Sequence, residues 1–136
     1  MTGRSPRKQV DALYWQGRLR VARAYLEAAQ QAMVLAEPGQ DCNPLISQIV
    51  LAAIAYGDSL TSKRAQVVNQ QDHAQAPRLL REVMGNLMPD SQQRRYRRIL
   101  GLKDEAQYGT RQTPRDEAAR LLSDLGEFAE WAEDML

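Results

Sequence analysis

One cysteine, one histidine and one phenylalanine occur among 136 residues, and each scarcity removes a class of chemistry. A lone thiol, Cys42, cannot close an internal disulfide, so a reducing setting is expected, with the cytoplasm as the compartment. One histidine and one cysteine cannot build a typical zinc site, and no metal or other cofactor is expected. No GxGxxG, Walker loop or HExxH is present, so the common dinucleotide, P-loop and zinc-protease chemistries have no sequence signature here. Long apolar runs are also missing. The longest, Ile49 to Tyr56, is too short to cross a bilayer. The start, Met1 to Lys8, is basic and polar, without the apolar run of a signal peptide. No membrane association is expected.

What is abundant points to helix. Hydrophobic residues make up 43% and charged residues 26%, too apolar for a disordered chain. Alanine, leucine, glutamine, arginine and glutamate dominate, and all are good helix formers. The expected fold class is all-α, a single antiparallel bundle of about five helices with no strand-forming segment. Its boundaries are expected at 9–136, after a flexible tail over 1–8.

Along the chain, apolar positions from Val10 run through Leu13/Tyr14, Gly17, Val21, Ala24/Tyr25, Ala28/Ala29 and Ala32 to Leu35/Ala36, the spacing of an amphipathic helix. Pro38-Gly39 stops it. Asn43-Pro44 reads as a cap and first turn for a second helix. That helix is apolar on nearly every face from Leu45 to Leu60, which makes it the central one, and it is expected to run to about Val68. Asp72-His73-Ala74-Gln75 has the form of a capping box for a short third helix. A fourth is expected from Asp90-Ser91 to Tyr108. Thr113-Pro114 should cap and open a last helix whose stripe of Ala118, Leu121, Leu125, Phe128 and Ala132 is regular.

Charge is uneven. Residues 1–115 hold 17 Lys/Arg against 10 Asp/Glu, and residues 116–136 hold one Arg against seven acids; +7 and −6 give the net +1. Such a gradient can steer an anionic partner, bind a second copy, or be satisfied when the last helix packs on the basic ones. The densest cluster is Arg94-Arg95-Tyr96-Arg97-Arg98, in which Arg94, Arg97 and Arg98 share a helical face suited to phosphates. His73 is the one side chain whose ordinary pKa lies near neutrality; at a helix start it should tend toward the neutral form.

Three stretches, taken in order, resemble the HEPN (higher eukaryotes and prokaryotes nucleotide-binding) superfamily of small helical bundles. They are Ala52–Thr61, in which polar Asp58 follows an apolar run, the histidine-led Asp72–Leu80, and Leu102–Tyr108 followed by a polar loop and a long final helix. Order and spacing carry the likeness, and together the stretches span most of residues 10–136. Many members of that family are ribonucleases with an Arg-x4-6-His motif at the end of the fourth helix, often in toxin–antitoxin or defence systems. Here the matching positions read Lys103-x4-Tyr108. Lysine can hold a phosphate, but tyrosine titrates near ~10 and is a poor general base at neutral pH. The resemblance therefore implies a non-catalytic member that binds RNA, a nucleotide or a protein partner, and forms a homodimer. Asp58, Lys63, Lys103 and Tyr108 would line its cleft, with Arg94, Arg97 and Arg98 at the rim. The alternatives are a metal-independent ribonuclease using Lys103 with His73 or Tyr108, and a purely structural interaction bundle.

Overall fold

An apolar helix needs cover on every side, and the chain supplies it around α2 (Asn43–Ala65). In the computed structural model, which describes residues 6–136, α2 packs against α1 (Tyr14–Leu35), α3 (Ala76–Met84), α4 (Asp90–Leu100), α5 (Lys103–Tyr108) and α6 (Arg115–Met135). Nearly every side chain from Leu45 to Ser62 is buried. By length and composition alone α2 could cross a membrane, but its apolar surface is spent on the core. The hydroxyls of Ser59 and Ser62 donate back to the carbonyls of Ala55 and Asp58, which satisfies two polar groups inside this helix. The all-α bundle expected from composition is the observed architecture.

The core closes on an aromatic stack. Tyr96 of α4 lies parallel to Phe128 of α6 with ring centroids 4.7 Å apart, and Trp131 tilts against Phe128 at 5.7 Å. The Trp131 indole N–H donates to the Leu87 carbonyl. Tyr96 reaches so close to α2 that a Cβ at Gly57 would collide with its hydroxyl. The absent side chain at Gly57 is what lets the two helices approach.

Several local expectations need correction. A two-stranded antiparallel ribbon is present, β1 (Arg7–Gln9) with β2 (Val67–Asn69), paired Arg7 to Asn69 and Gln9 to Val67. α2 stops at Ala65 rather than Val68 because Gln66 turns left-handed at φ 52°, and β-branched Val67 and Val68 continue extended. Arg7 and Lys8 are thus held in a ribbon instead of a tail, while residues 1–5 of the expected tail lie outside the described residues. The fourth helix is broken at Gly101-Leu102 into α4 and α5.

Another correction concerns caps. Asn43 and Thr113, both expected to cap helices, bond each other instead: the Thr113 hydroxyl donates to Oδ1 of Asn43, whose amide donates to the Arg111 carbonyl. They clasp the loop before α2 to the loop before α6, beside a backbone bond from Cys42 N to Thr113 O of 3.0 Å. Cys42 is buried there. A last correction concerns α1, where the expected stripe is met in part: Ala29 and, just past the helix end, Ala36 are buried and Val21, Tyr25 and Ala32 pack on the core. Leu19, Ala22 and Ala29 are buried, and Trp15, Leu26 and Met33 pack on the core beside them. Leu13, Ala24 and Leu35 remain exposed.

Candidate functional site

The loop from Asn69 to Asp72 determines where the lone histidine sits. Asn69 Nδ2 donates to the Asp72 carbonyl at 2.9 Å, Gln71 is left-handed at φ 71°, and the Asp72 carboxylate accepts from Ala74 N at 3.1 Å. The capping expected at Asp72 is therefore present. A 3-10 turn over His73–Gln75 follows and leads into α3, where buried Pro77 occupies the first turn. The break at Gly101 directs α5 away from α4, so the start of α5 comes up beside this turn.

Between the two lies a cleft of about 570 Å³, lined by Asp72, His73, Pro77, Arg97, Lys103 and Asp104 among others. Three expected site residues, distant in sequence, thus share one cavity. His73 is half-buried, and its pKa is lowered from the ordinary 6.5, first by burial and then by the Lys103 charge, against opposing pulls from Asp72 and Asp104. The neutral form anticipated for His73 has this cause, burial beside a cation, rather than the helix start alone. A neutral imidazole here offers one N–H donor and one acceptor.

The arginine cluster divides. Arg98 binds Asp124 of α6 at 2.7 Å, and Arg95 lies 3.8 Å from Asp124 and 3.6 Å from Glu127. Part of the charge gradient is therefore neutralised inside the monomer, and Arg98 is not on the rim of an open groove. Arg94 and Arg97 are exposed, and neither has an acidic partner among the described residues. Arg97 lines the cleft and Arg94 lies one turn before it on α4. Arg81 is committed elsewhere. It braces the turn after α3, donating to the Gly85 and Met88 carbonyls and to Asp90.

Asp58, Lys63 and Tyr108 do not join the cleft. Asp58 is buried mid-helix in α2 and pairs with Arg18 of α1 at 3.1 Å. Burial pushes its carboxyl up to about 6, with Arg18 pulling the other way. Lys63 sits 4.4 Å from the Trp15 ring centre and donates to the Leu136 carbonyl. Tyr108 ends the six-residue α5 and is 77% exposed. Lys103 and Tyr108 start and finish one short helix, and only Lys103 lines the cleft.

A second, shallower groove of about 640 Å³ runs between α1 and α6. Two of its charged groups are already engaged: Glu133 accepts two bonds from Arg23, at 2.9 and 2.7 Å, and one from the buried Tyr56 hydroxyl. Among the described residues no three of His, Cys, Asp and Glu are grouped to hold a metal. The His73 cleft is the place where uncommitted polar chemistry gathers. Sequence comparison adds nothing to this: no family model matches the chain, and no curated protein matches it.

Proposed function

We propose that the protein is a non-catalytic, HEPN-like helical module that binds single-stranded RNA through the cleft between the His73 turn and α5. One observation carries the reading. His73, Arg97 and Lys103 come from three separate elements and meet in one cavity, and the adjoining Arg94 and Arg97 have no acidic partner among the described residues. Guanidinium groups grip phosphate oxygens bidentately, a lysine adds a point charge, and a neutral imidazole can donate to a phosphate or a ribose hydroxyl. The resemblance supports the same cleft from another direction, because its second and third stretches are the two that meet there.

Binding is favoured over cleavage on chemical grounds. Hydrolysis of RNA without a metal needs a proton acceptor and a proton donor near one phosphate. His73 is the one group in the cleft whose ordinary pKa lies near neutrality, and exposed Tyr108 at the far end of α5 is not placed to complement it. A toxin–antitoxin or defence setting belongs to the same reading, and a nucleotidyltransferase-like neighbouring gene would support it.

The test is fluorescence anisotropy of a labelled oligoribonucleotide over a range of salt. With Arg94, Arg97 and Lys103 each meeting a phosphate, the slope of log K against log salt should be about −2. Arg97→Glu should weaken binding by about tenfold or more at low salt. Absent or salt-independent binding removes the proposal and leaves a structural bundle. Degradation of RNA by the pure protein, lost in His73→Ala, would favour the ribonuclease instead.

A further inference from the structure

α1 carries two heptad seams. One runs through Trp15, Leu19, Ala22, Leu26, Ala29 and Met33 and packs on the core. The other runs through Gly17, Val21, Ala24, Ala28, Gln31 and Leu35, again in alternating steps of four and three. Ala24 and Gln31 of this second seam are exposed, Gly17, Val21 and Ala28 are half-buried with Val21 also touching the core, and Leu35 is 77% exposed. Leu13 and Val34, beside its two ends, are 67% and 80% exposed. These three are the most exposed large aliphatic side chains among the described residues.

We propose that this face of α1 pairs with the same face of a second copy, antiparallel about a twofold axis at the level of Arg23. The sequence selects the register. Setting Val21 against the partner's Ala24 also sets Gly17 against the partner's Ala28 and Tyr14 against the partner's Gln31. The flanking positions then bring Arg20 to the partner's Glu27 and Leu13 to the partner's Val34, each contact occurring twice by symmetry. A shift of one heptad in one direction places Glu27 against the partner's Glu27. A shift in the other places Arg20 against the partner's Arg20. A parallel pair matches neither charge, since the positions facing Arg20 and Glu27 would be Tyr25 and Ala32 of the partner.

Both charges are available for the contact. Arg20 has no acidic partner among the described residues, and Glu27 accepts only a long bond from Gln31 at 3.4 Å. Gly17, Ala24 and Ala28 in the middle of the seam allow the two helix axes to approach to about 8 Å. The 22 residues of α1 give a contact up to about 33 Å long. The occupant is a second copy because the face is complementary to itself and holds both charges of the pair. This inference is independent of the RNA-binding cleft.

Sedimentation equilibrium on the full chain, from about 1 to 200 μM, tests it. A reversible dimer is expected. Arg20→Glu or Glu27→Arg alone should weaken it about tenfold, because each creates two like-charge contacts. The double variant Arg20→Glu with Glu27→Arg should return to within about threefold of the parent. Ala24→Glu, at an exposed position, should leave helix content unchanged by circular dichroism and abolish the dimer. A monomer at every concentration overturns the proposal. So does a dimer that tolerates Ala24→Glu, or one that the double reversal does not restore.

Discussion

Replacing Asp58 by asparagine should remove a component of stability that weakens as pH rises, the reverse of what a surface carboxylate contributes. Burial against α1 and α4 holds the Asp58 carboxyl up at about 6, although Arg18 at 3.1 Å pulls it down. In the unfolded chain the same group titrates near ~3.9. The folded state therefore binds the proton more tightly, and protonation favours folding. The contribution is full below the unfolded value and disappears as pH rises through about 6. For those two values it changes by on the order of 1 kcal/mol between pH ~8 and pH ~5. Urea unfolding followed by circular dichroism at the two pH values, on wild type and Asp58→Asn, gives the difference directly. His73 acts in the opposite sense: its lowered pKa supplies stability that is lost as pH falls through the unfolded value near 6.5. Both chains share that term, so it cancels in the comparison. The stability of the variant relative to wild type should fall by on the order of 1 kcal/mol on going from pH ~8 to pH ~5. No change in that relative stability would mean that Asp58 is solvated and open to ligand, and the buried pair with Arg18 would be refuted.

Gly57→Ala should gain about 1 kcal/mol of helix propensity and lose more, about 1–3 kcal/mol, by driving a methyl into the stacked Tyr96 ring. Thermal or urea unfolding should report net destabilisation, partly relieved by Tyr96→Phe; a stabilised variant would contradict the close approach. Arg98→Ala should cost under about 1 kcal/mol, because its bridge to Asp124 is exposed on the arginine side, and should leave RNA affinity within about twofold. Its contrast with Arg97→Glu in the same binding assay separates the committed arginine from the free one. The His73 imidazole, followed by NMR, should titrate below 6.5, and Lys103→Ala should move it upward by removing a nearby positive charge.

Much of this fold is legible in the sequence wherever large apolar residues set a period. Ile49, Val50, Ile54 and Leu60 identify α2 as the centre, and Leu121, Leu125 and Phe128 give the inner face of α6 without ambiguity. α1 is harder because alanine and glycine occupy both of its seams. Small residues weigh little in an apolar pattern, so the outer stripe through Ala24 and Leu35 reads as strongly as the buried one through Leu19 and Leu26. The ribbon is invisible for another reason. Arg7–Gln9 has no strand character of its own and becomes extended only because Val67–Asn69, some 60 residues away, offers it a partner.

The site divides in the same way. Asp72 as a cap follows from local rules, whereas the lowered pKa of His73 comes from burial and from Lys103, which no local rule supplies. The meeting of His73 with Arg97 and Lys103 depends on the break at Gly101, and a glycine between two leucines in an otherwise helical stretch was the available signal. Asp58 and Lys63 were drawn toward the cleft by sequence order. In three dimensions their helix positions direct them to Arg18 and Trp15 instead. The pairing of Arg95 and Arg98 with Asp124 required knowing that α4 packs on α6, which the charge gradient implied but could not locate.

The most direct test of the RNA-binding cleft is an NMR titration of the His73 imidazole with an oligoribonucleotide at low salt. The ring resonances should move in step with binding, and the pKa of His73 should rise as phosphate arrives beside it. RNA binding that leaves the His73 ring and its titration unchanged would contradict the account.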